Sequence, residues 1–312
     1  MRKPVVWQLS VVQFAQRAWI SGVILGNEPY VQSKKVGKIK NSIRLLSSYF
    51  ATTYSNKNIT LGADGKTIST RTDGSGNFSV FVDSTEVNNV SVFIQGLDNP
   101  LKLSQDYPIV FQTSNSPFDI ISDLDDTLVE SNTAHDFKRI KTLAFTPPEK
   151  RKPIRFTTEL LNELRDARIT YVSKSESNLF GIIASFILHH GLPVGQLVLT
   201  PYLRFGQLFS SKKKGLEFKI NTINTIVCNS ASTKQFVLIG DDTQQDMKVY
   251  AHIAEQHHNK VLKIYIHKTR KRLVGAKLRY YQQLLNTSVP VLFFSDQNQV
   301  QREIQHLKMK EA

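Results

Sequence analysis

Cysteine and long apolar runs are scarce in this chain of 312 residues, and each shortage excludes a class of protein. The single cysteine, Cys228, cannot form a disulfide within the chain or a cysteine-rich zinc site. It stands in an apolar, helix-like run with Ile223, Ile226 and Val227, so we expect a buried, unreactive thiol. No stretch approaches the roughly 18 consecutive apolar residues of a membrane-spanning helix.

The N-terminal segment also lacks the features of a signal peptide. Gln8, Gln13 and Arg17 interrupt its apolar run. We therefore expect a cytoplasmic protein without a transmembrane segment, able to reach a membrane only by peripheral contact. The two tryptophans, Trp7 and Trp19, are expected in the core.

Acidic residues are fewer than basic ones. The chain has 26 Asp and Glu against 40 Lys and Arg, which gives a formal charge of +14 and a pI near 9.7. Such an excess predicts an anionic partner, namely nucleic acid, a phosphate ester or an acidic membrane surface. It does not choose among the three.

The length favours two domains, at about 100–200 residues each. Residues 1–114 contain short strand-like runs separated by turns, which predicts a small β-sandwich-like domain. Its clearest strands are 18–25, 78–82 and 90–94. Apolar residues spaced by four, three and four between residues 39 and 50 predict one helix over 38–52.

The pattern changes after a predicted linker at 113–118. Helix-like and strand-like runs then alternate, so residues 115–312 are predicted to form an α/β domain with a largely parallel sheet covered on both faces. Ligands of such sheets bind at the carboxyl ends of the strands.

One acidic motif stands at such a strand end. The apolar run Ile120–Ser122 leads into Asp123-Leu124-Asp125-Asp126-Thr127. Two carboxylates two residues apart can face one site, where their repulsion calls for a cation such as Mg²⁺. The first can attack phosphorus and the second can transfer protons. Taken alone, the motif also fits a solvated turn.

Three further elements follow in the order that metal-assisted phosphoryl transfer requires. Ser173 closes a predicted strand with a hydroxyl that can bind phosphate. Lys219 begins a predicted helix with an ammonium that can offset negative charge. Asp241 ends another strand, and Asp246 follows five residues later.

Several sequence runs together resemble a known family. They include SDLDDTLVES, EKRKPI, YVSKSESNLF, ILHHGLPVGQLVL, FKINTINTIV, FVLIGDDTQQDMKVY and VPVLFFSD, and they span about 118–296. The chain resembles the catalytic domain of the actin-patch-associated phosphatidate phosphatases and their bacterial relatives, within the haloacid dehalogenase superfamily. The runs RAWISGVILG and TRTDGSGNFSV in the first part also resemble that family. The resemblance implies a Rossmann-like fold and a Mg²⁺-dependent phosphatase.

The resemblance also implies a role for each matching residue. Asp123 would be the nucleophile and a Mg²⁺ ligand, and Asp125 would be the acid/base and ligate the metal through its carbonyl. Asp241 and Asp246 would complete the metal site, and Lys219 would neutralise charge. Ser173 would bind the phosphoryl group, and Thr127 would brace the loop beside it.

Two departures from the family pattern leave alternatives open. Ser173-Lys174-Ser175-Glu176-Ser177 replaces Ser-Ala-Ser-Pro-Trp, so Lys174 is expected either to touch a phosphate or to pair with Glu176. Asp242 replaces a serine, and we favour a side chain that points to solvent over a further metal ligand. Arg151 matches an arginine of the family and is counted with the substrate-binding residues, although it could be an ordinary charge at a helix start.

Three groups of basic residues bear on the choice between a lipid and a nucleic-acid partner. They lie within 138–155, 212–214 and 268–272 and are consistent with solvated faces or with docking on anionic lipid. We expect a phosphomonoester substrate, foremost phosphatidate or a related phospholipid, with peripheral contact to an anionic membrane. A non-enzymatic membrane or nucleic-acid adaptor and a nucleic-acid end phosphatase are the alternatives. The lack of interleaved aromatic and basic residues argues against nucleic acid.

Overall fold

The fold consists of two small β sheets followed by one larger parallel sheet. The computed structural model describes residues 3–27, 48–124, 127, 153–202, 214–242, 245–269, 273–295 and 300–308. Before residue 112, the described strands are β1 Val5–Gln13, β2 Arg17–Leu25, β3 Asn58–Ala63, β4 Lys66–Arg71, β5 Asn77–Asp83, β6 Val90–Ile94 and β7 Val110–Phe111.

These strands form a sandwich of two sheets. One sheet has the order β5-β2-β1-β7 and the other the order β4-β3-β6. Apolar side chains from both sheets, such as Ile20 and Phe78 from the first and Leu61 and Val92 from the second, share one buried core. The expectation of a mostly β first part is therefore confirmed.

Strand β1 is buried along its whole length, and the sequence analysis did not predict it. Leu9 and Val11 face the core of the sandwich. Trp7 belongs to a second cluster with Tyr202, and Val12 belongs to the core of the parallel sheet. A strand covered on both faces carries no clean alternation of apolar and polar residues, which is why periodicity missed it.

The second part is built on six parallel strands in the order β10-β9-β8-β11-β12-β13. They are β8 Phe118–Ser122, β9 Ile169–Glu176, β10 Gln196–Thr200, β11 Gln235–Asp241, β12 Val261–His267 and β13 Val291–Phe294. The described helices are α1 Arg155–Glu163, α2 Phe180–His189, α3 Lys214–Asn229, α4 Asp246–Gln256, α5 Ala276–Leu285 and α6 Val300–Lys308. The predicted α/β fold with a parallel sheet is confirmed.

The strands that position the site lie at the centre of this sheet. All five residues of β8 are buried, as are the last six residues of β11. Ser122 of β8 pairs with Ile239 of β11 on one side and with Tyr171 of β9 on the other. Because the strands are parallel, the residues that follow these three positions meet at one edge of the sheet.

Some predictions need correction or lie outside the described residues. Cys228 is exposed, not buried, because Ile226 and Val227 already occupy the inward face of α3 and the next residue turns away from it. The predicted helix over 38–52 lies mostly outside the described residues. The division into two domains at residue 114 stays a prediction. Within the described part of the chain, no helix is long and apolar enough to cross a membrane.

Arg168 joins the sandwich to the parallel sheet. Its guanidinium forms a buried ion pair with Asp119, with Nη2 and Oδ2 2.8 Å apart, and donates to the carbonyl of Gln13. It also lies over the ring of Phe14, 5.3 Å from the ring centroid. Asp119 accepts a further hydrogen bond from Ser114 Oγ at 2.7 Å. This one cation thus connects the end of β1 with the start of β8.

We expect Arg168→Met to lower the free energy of unfolding by about 3 kcal/mol, because it leaves a buried carboxylate without its main partner. Arg155→Met is the matched control, since Arg155 pairs with Glu159 on the surface, with a side chain 70% exposed. Its loss should cost less than about 1 kcal/mol. Urea denaturation of both variants measures the difference, and equal losses would contradict the role given to Arg168.

Candidate active site

Three carboxylates meet at the carboxyl edge of the parallel sheet. Asp123 follows β8, Asp241 ends β11, and Asp246 begins α4. One carboxylate oxygen from each lies within 4.8 Å of the others. All three side chains are buried, with at most 1% of their surface exposed. Their positions at predicted strand and helix ends predict this grouping, and the structure brings the three residues together.

Lys219 extends from α3 into this group. Its Nζ lies 2.8 Å from Asp123 Oδ1 and 2.6 Å from Asp246 Oδ1. Burial by itself would lower the pKa of Lys219, but Asp123 and Asp246 raise it above its ordinary value. The lysine is therefore charged, and it holds two of the three carboxylates in place.

The side chains of Asp246 and Tyr250 leave no room for a side chain on Gly240. A Cβ added there would lie 2.8 Å from Asp246 Oδ2 and 2.7 Å from the ring of Tyr250. The Asp241 N–H donates to Asp246 Oδ2 at 3.2 Å, and the Tyr250 hydroxyl donates to the Ile239 carbonyl at 2.8 Å. Burial would raise the pKa of Asp246, but Lys219 and then Lys174 lower it, so this carboxyl is ionised.

Strand β9 contributes a hydroxyl and a second cation. Ser173 is fully buried, and its Oγ accepts from the Ser175 N–H at 3.0 Å. The carbon atoms of Lys174 pack against Gly215 at the start of α3. Burial and then Lys219 lower the pKa of Lys174, while Asp246, Asp123 and Asp241 raise it. The net effect is a lowered pKa for Lys174. Contact with a phosphate and pairing with Glu176 both stay predictions.

Asp242 does not point to solvent, so that expectation is wrong. Its side chain is fully buried, and its Oδ1 accepts from both the N–H and the hydroxyl of Thr269. Its carbonyl accepts from Lys277 Nζ at 2.9 Å. Thr269 follows β12 and Lys277 lies in α5, and sequence spacing gave no sign of either donor. Asp242 thus connects both residues to the strand end that carries Asp241.

The remaining predicted site residues are placed only in part. Asp125 and Arg151 lie outside the described residues. Thr127 is buried, and its hydroxyl has no hydrogen-bond partner in the described part of the chain. The bracing role predicted for Thr127 stays a prediction.

The donor set fits a divalent cation. Three carboxylates carry three negative charges, and Lys219 and the nearby Lys174 supply at most two positive charges. The buried excess of negative charge needs a further cation, and the ligand atoms on offer are oxygens. Hard oxygen ligands suit Mg²⁺ better than Zn²⁺, which favours nitrogen and sulfur.

A hydrogen bond that the sequence did not predict joins the sandwich to the segment after β9. Trp7 Nε1 donates to the carbonyl of Ser177 at 2.8 Å, and this carbonyl also accepts from the N–H of Phe180. The indole packs edge-on against Tyr202, with ring centroids 6.2 Å apart. Thr200 Oγ1 donates to the carbonyl of Lys174 at 3.2 Å. Trp7 therefore restrains the segment that carries Ser173 and Lys174.

Comparison with known proteins identifies a related catalytic domain. Residues 118–268 match the family model described as phosphatidate phosphatase APP1, catalytic domain. That range contains Asp123, Ser173, Lys219, Asp241 and Asp246. Phosphatidate phosphatase APP1 of Saccharomyces cerevisiae is 28% identical over 183 residues, which cover 54% of this chain and 30% of the yeast protein. The resemblance to this family that the sequence predicts is confirmed.

A solved structure, a carbohydrate acetylesterase from Xanthomonas citri, is similar over 97% of this chain and 73% of its own. The identity is 11% and the TM-score is 0.35.

We expect Trp7→Phe to loosen the segment 173–179, because the carbonyl of Ser177 loses one of its two donors. The free energy of unfolding should fall by about 1 kcal/mol. The peptides covering 173–179 should exchange their amide hydrogens faster. Hydrogen exchange followed by mass spectrometry measures this.

The matched control is Trp19→Phe. Trp19 donates to Ser79 Oγ at 2.7 Å within the sandwich and stacks on Phe81. Its loss should cost similar stability without changing exchange in 173–179. Faster exchange there in both variants, or in neither, would show that Trp7 does not restrain the segment.

Proposed function

We propose that this chain, whose residues 118–268 match a phosphatidate phosphatase catalytic domain, is a Mg²⁺-dependent phosphatase of phosphomonoesters. The observation that carries the proposal is the buried group of Asp123, Asp241, Asp246 and Lys219 at the carboxyl edge of the parallel sheet. The chain spans 30% of the length of its yeast relative. The name of that relative supports the proposed substrate, which is phosphatidate or a related phospholipid.

In the proposed reaction, Asp123 acts as the nucleophile. A carboxylate oxygen of Asp123 bonds to phosphorus while the bond between phosphorus and the leaving oxygen breaks, which gives an aspartyl-phosphate. The carboxyl of Asp125 gives its proton to the leaving alkoxide. The Asp125 carboxylate then takes a proton from water, whose oxygen bonds to phosphorus and releases Asp123.

Lys219 orients the nucleophile and offsets charge. Its contact with Asp123 Oδ1 at 2.8 Å fixes one carboxylate oxygen, and its buried charge favours the approach of an anionic phosphoryl group. Lys174 and Ser173, on β9, would bind the phosphoryl oxygens. Asp123, Asp241 and Asp246, with the carbonyl of Asp125, would hold Mg²⁺. The metal would supply charge neutralisation at the phosphoryl group.

We expect Asp123→Asn to lower kcat by a factor of about 1,000 or more, since loss of a catalytic nucleophile removes the covalent route. Release of inorganic phosphate from phosphatidate and from soluble phosphomonoesters measures the rate. Asp166→Asn is the control, because Asp166 is exposed and lies before β9, at the opposite edge of the sheet. Acid-quenched wild type should carry a hydroxylamine-sensitive phosphoryl group on the Asp123 peptide.

Unchanged turnover in Asp123→Asn would rule out this nucleophile. If the wild type hydrolyses no phosphomonoester yet binds liposomes or oligonucleotides, the non-enzymatic adaptor is the better interpretation.

We expect Mg²⁺ to stabilise the protein and EDTA to abolish turnover. A ligand at 100 times its Kd adds about 2.7 kcal/mol to the free energy of unfolding. Thermal unfolding with and without Mg²⁺ should show this gain for the wild type and for Asp166→Asn, but not for Asp241→Asn. Equal unfolding curves for the wild type in Mg²⁺ and in EDTA would contradict the metal assignment.

A further inference from the structure

The segment after α4 contains basic residues but no acidic ones. Between Gln256 and Ser295 the sequence has eight Lys or Arg residues and no Asp or Glu. Three of the basic residues, at 270–272, lie outside the described part of the chain, and the other five lie within it. A run of this length with one sign of charge attracts anionic partners.

Part of this segment lies at the rim of the candidate active site. Strand β12 ends at His267, whose carbonyl accepts from the N–H of Asp242 at 3.1 Å. Thr269 donates to the Asp242 side chain, and Lys277 Nζ donates to its carbonyl. Because Asp242 directly follows Asp241, Thr269 and Lys277 lie beside the carboxylate cluster.

Two large apolar side chains are exposed on this rim. Val274 is 64% exposed and Leu278 is 43% exposed. Val274 precedes Gly275, whose φ of +57° turns the chain into α5. Lys268 and Arg279 are exposed nearby in sequence. A single exposed apolar residue needs no explanation, but a pair flanked by cations and close to a phosphate-type site does.

We propose that the rim surface, defined as Lys268, Val274, Leu278 and Arg279, docks on an anionic phospholipid bilayer. The two apolar side chains would enter the headgroup region, and the two cations would contact lipid phosphates. This docking would present a lipid phosphate to the carboxylate cluster without the lipid leaving the bilayer. The role of this docking in catalysis rests on the proposed phosphatase function. The docking itself can be tested without it, through variants of the rim surface.

The apolar pair distinguishes a bilayer from nucleic acid. Both partners are polyanions and would attract Lys268 and Arg279 equally. A phosphodiester backbone gains nothing from Val274 and Leu278, whereas a bilayer removes both side chains from water. Apart from Lys268, the surface lies beyond residue 268, where the match to the catalytic-domain family model ends.

The helix α5 offers a closely matched pair of variants. Leu278 and Leu285 are the same residue type on the same helix, with 43% and 47% of their surface exposed. Leu285 lies seven residues further on, about 10 Å along the helix axis at 1.5 Å per residue. As α5 leaves the end of β12 and leads to the start of β13, Leu285 lies towards the opposite edge of the sheet.

The experiment is co-sedimentation of the full chain with vesicles of phosphatidylcholine alone or mixed with phosphatidylserine. The wild type and Leu285→Asp should bind the mixed vesicles alike, and Leu278→Asp and Val274→Asp should bind them about tenfold more weakly. Circular dichroism and thermal unfolding should be the same for all four proteins. Binding should weaken at high salt, since cations contribute to it.

Equal binding by Leu278→Asp, Val274→Asp and Leu285→Asp would overturn the proposal. So would loss of oligonucleotide binding by Leu278→Asp with unchanged vesicle binding, which would identify a nucleic-acid surface instead.

A second readout separates docking from catalysis. The ratio of turnover on vesicle phosphatidate to turnover on a soluble phosphomonoester should fall for Leu278→Asp and stay constant for Leu285→Asp. If the wild type turns over neither substrate but Leu278→Asp still loses vesicle binding, the docking surface stands and the proposed function fails. If turnover is present and the ratio does not differ between the two variants, docking at this rim is refuted while the phosphatase remains.

Discussion

The ammonium of Lys219 lies between the carboxylates of Asp123 and Asp246, and the other groups of the site depend on that contact. Three buried carboxylates within 4.8 Å of one another repel strongly in an environment that water does not screen. Lys219 offsets part of this repulsion and leaves an excess of negative charge that a cation can balance. The same contact joins β8, α3 and α4, which are far apart in sequence, and so couples the local electrostatics to the fold.

Most of the second part could be predicted from the sequence because its signals are local. Apolar runs ending in Asp123, Ser173 or Asp241 indicate strand ends, and parallel strands bring such ends to one edge. Long-range contacts left no comparable signal. In the sequence Asp242 resembles an exposed turn residue, because nothing there shows that Thr269 lies beside it in the fold. Cys228 follows buried residues in the sequence but faces away from them. Position 240 requires glycine because the side chains of Asp246 and Tyr250 lie against it, a contact that exists only in the folded chain.

The sandwich and the parallel sheet are joined by direct side-chain contacts as well as by the chain between them. Trp7 bonds to the segment that carries Ser173 and Lys174, and Arg168 binds both the end of β1 and the start of β8. Tyr107 adds a third contact, with its hydroxyl donating to the carbonyl of Gly195 at 2.8 Å and accepting from the N–H of the same residue. The first part of the chain therefore shapes the surroundings of the phosphate-binding segment although it contributes no carboxylate to the cluster.

The burial of β1 on both faces has a consequence for how the protein is made. Its contacts with Ser177 and Leu197 join residues separated by 170 and 189 positions. During synthesis the ribosome must therefore add 170 residues after Trp7 before the outer face of this strand can be covered. Apolar surface left open meanwhile favours aggregation. Until β9 and β10 have emerged, Trp7 and its neighbours stay exposed to water, which makes the nascent sandwich prone to such aggregation.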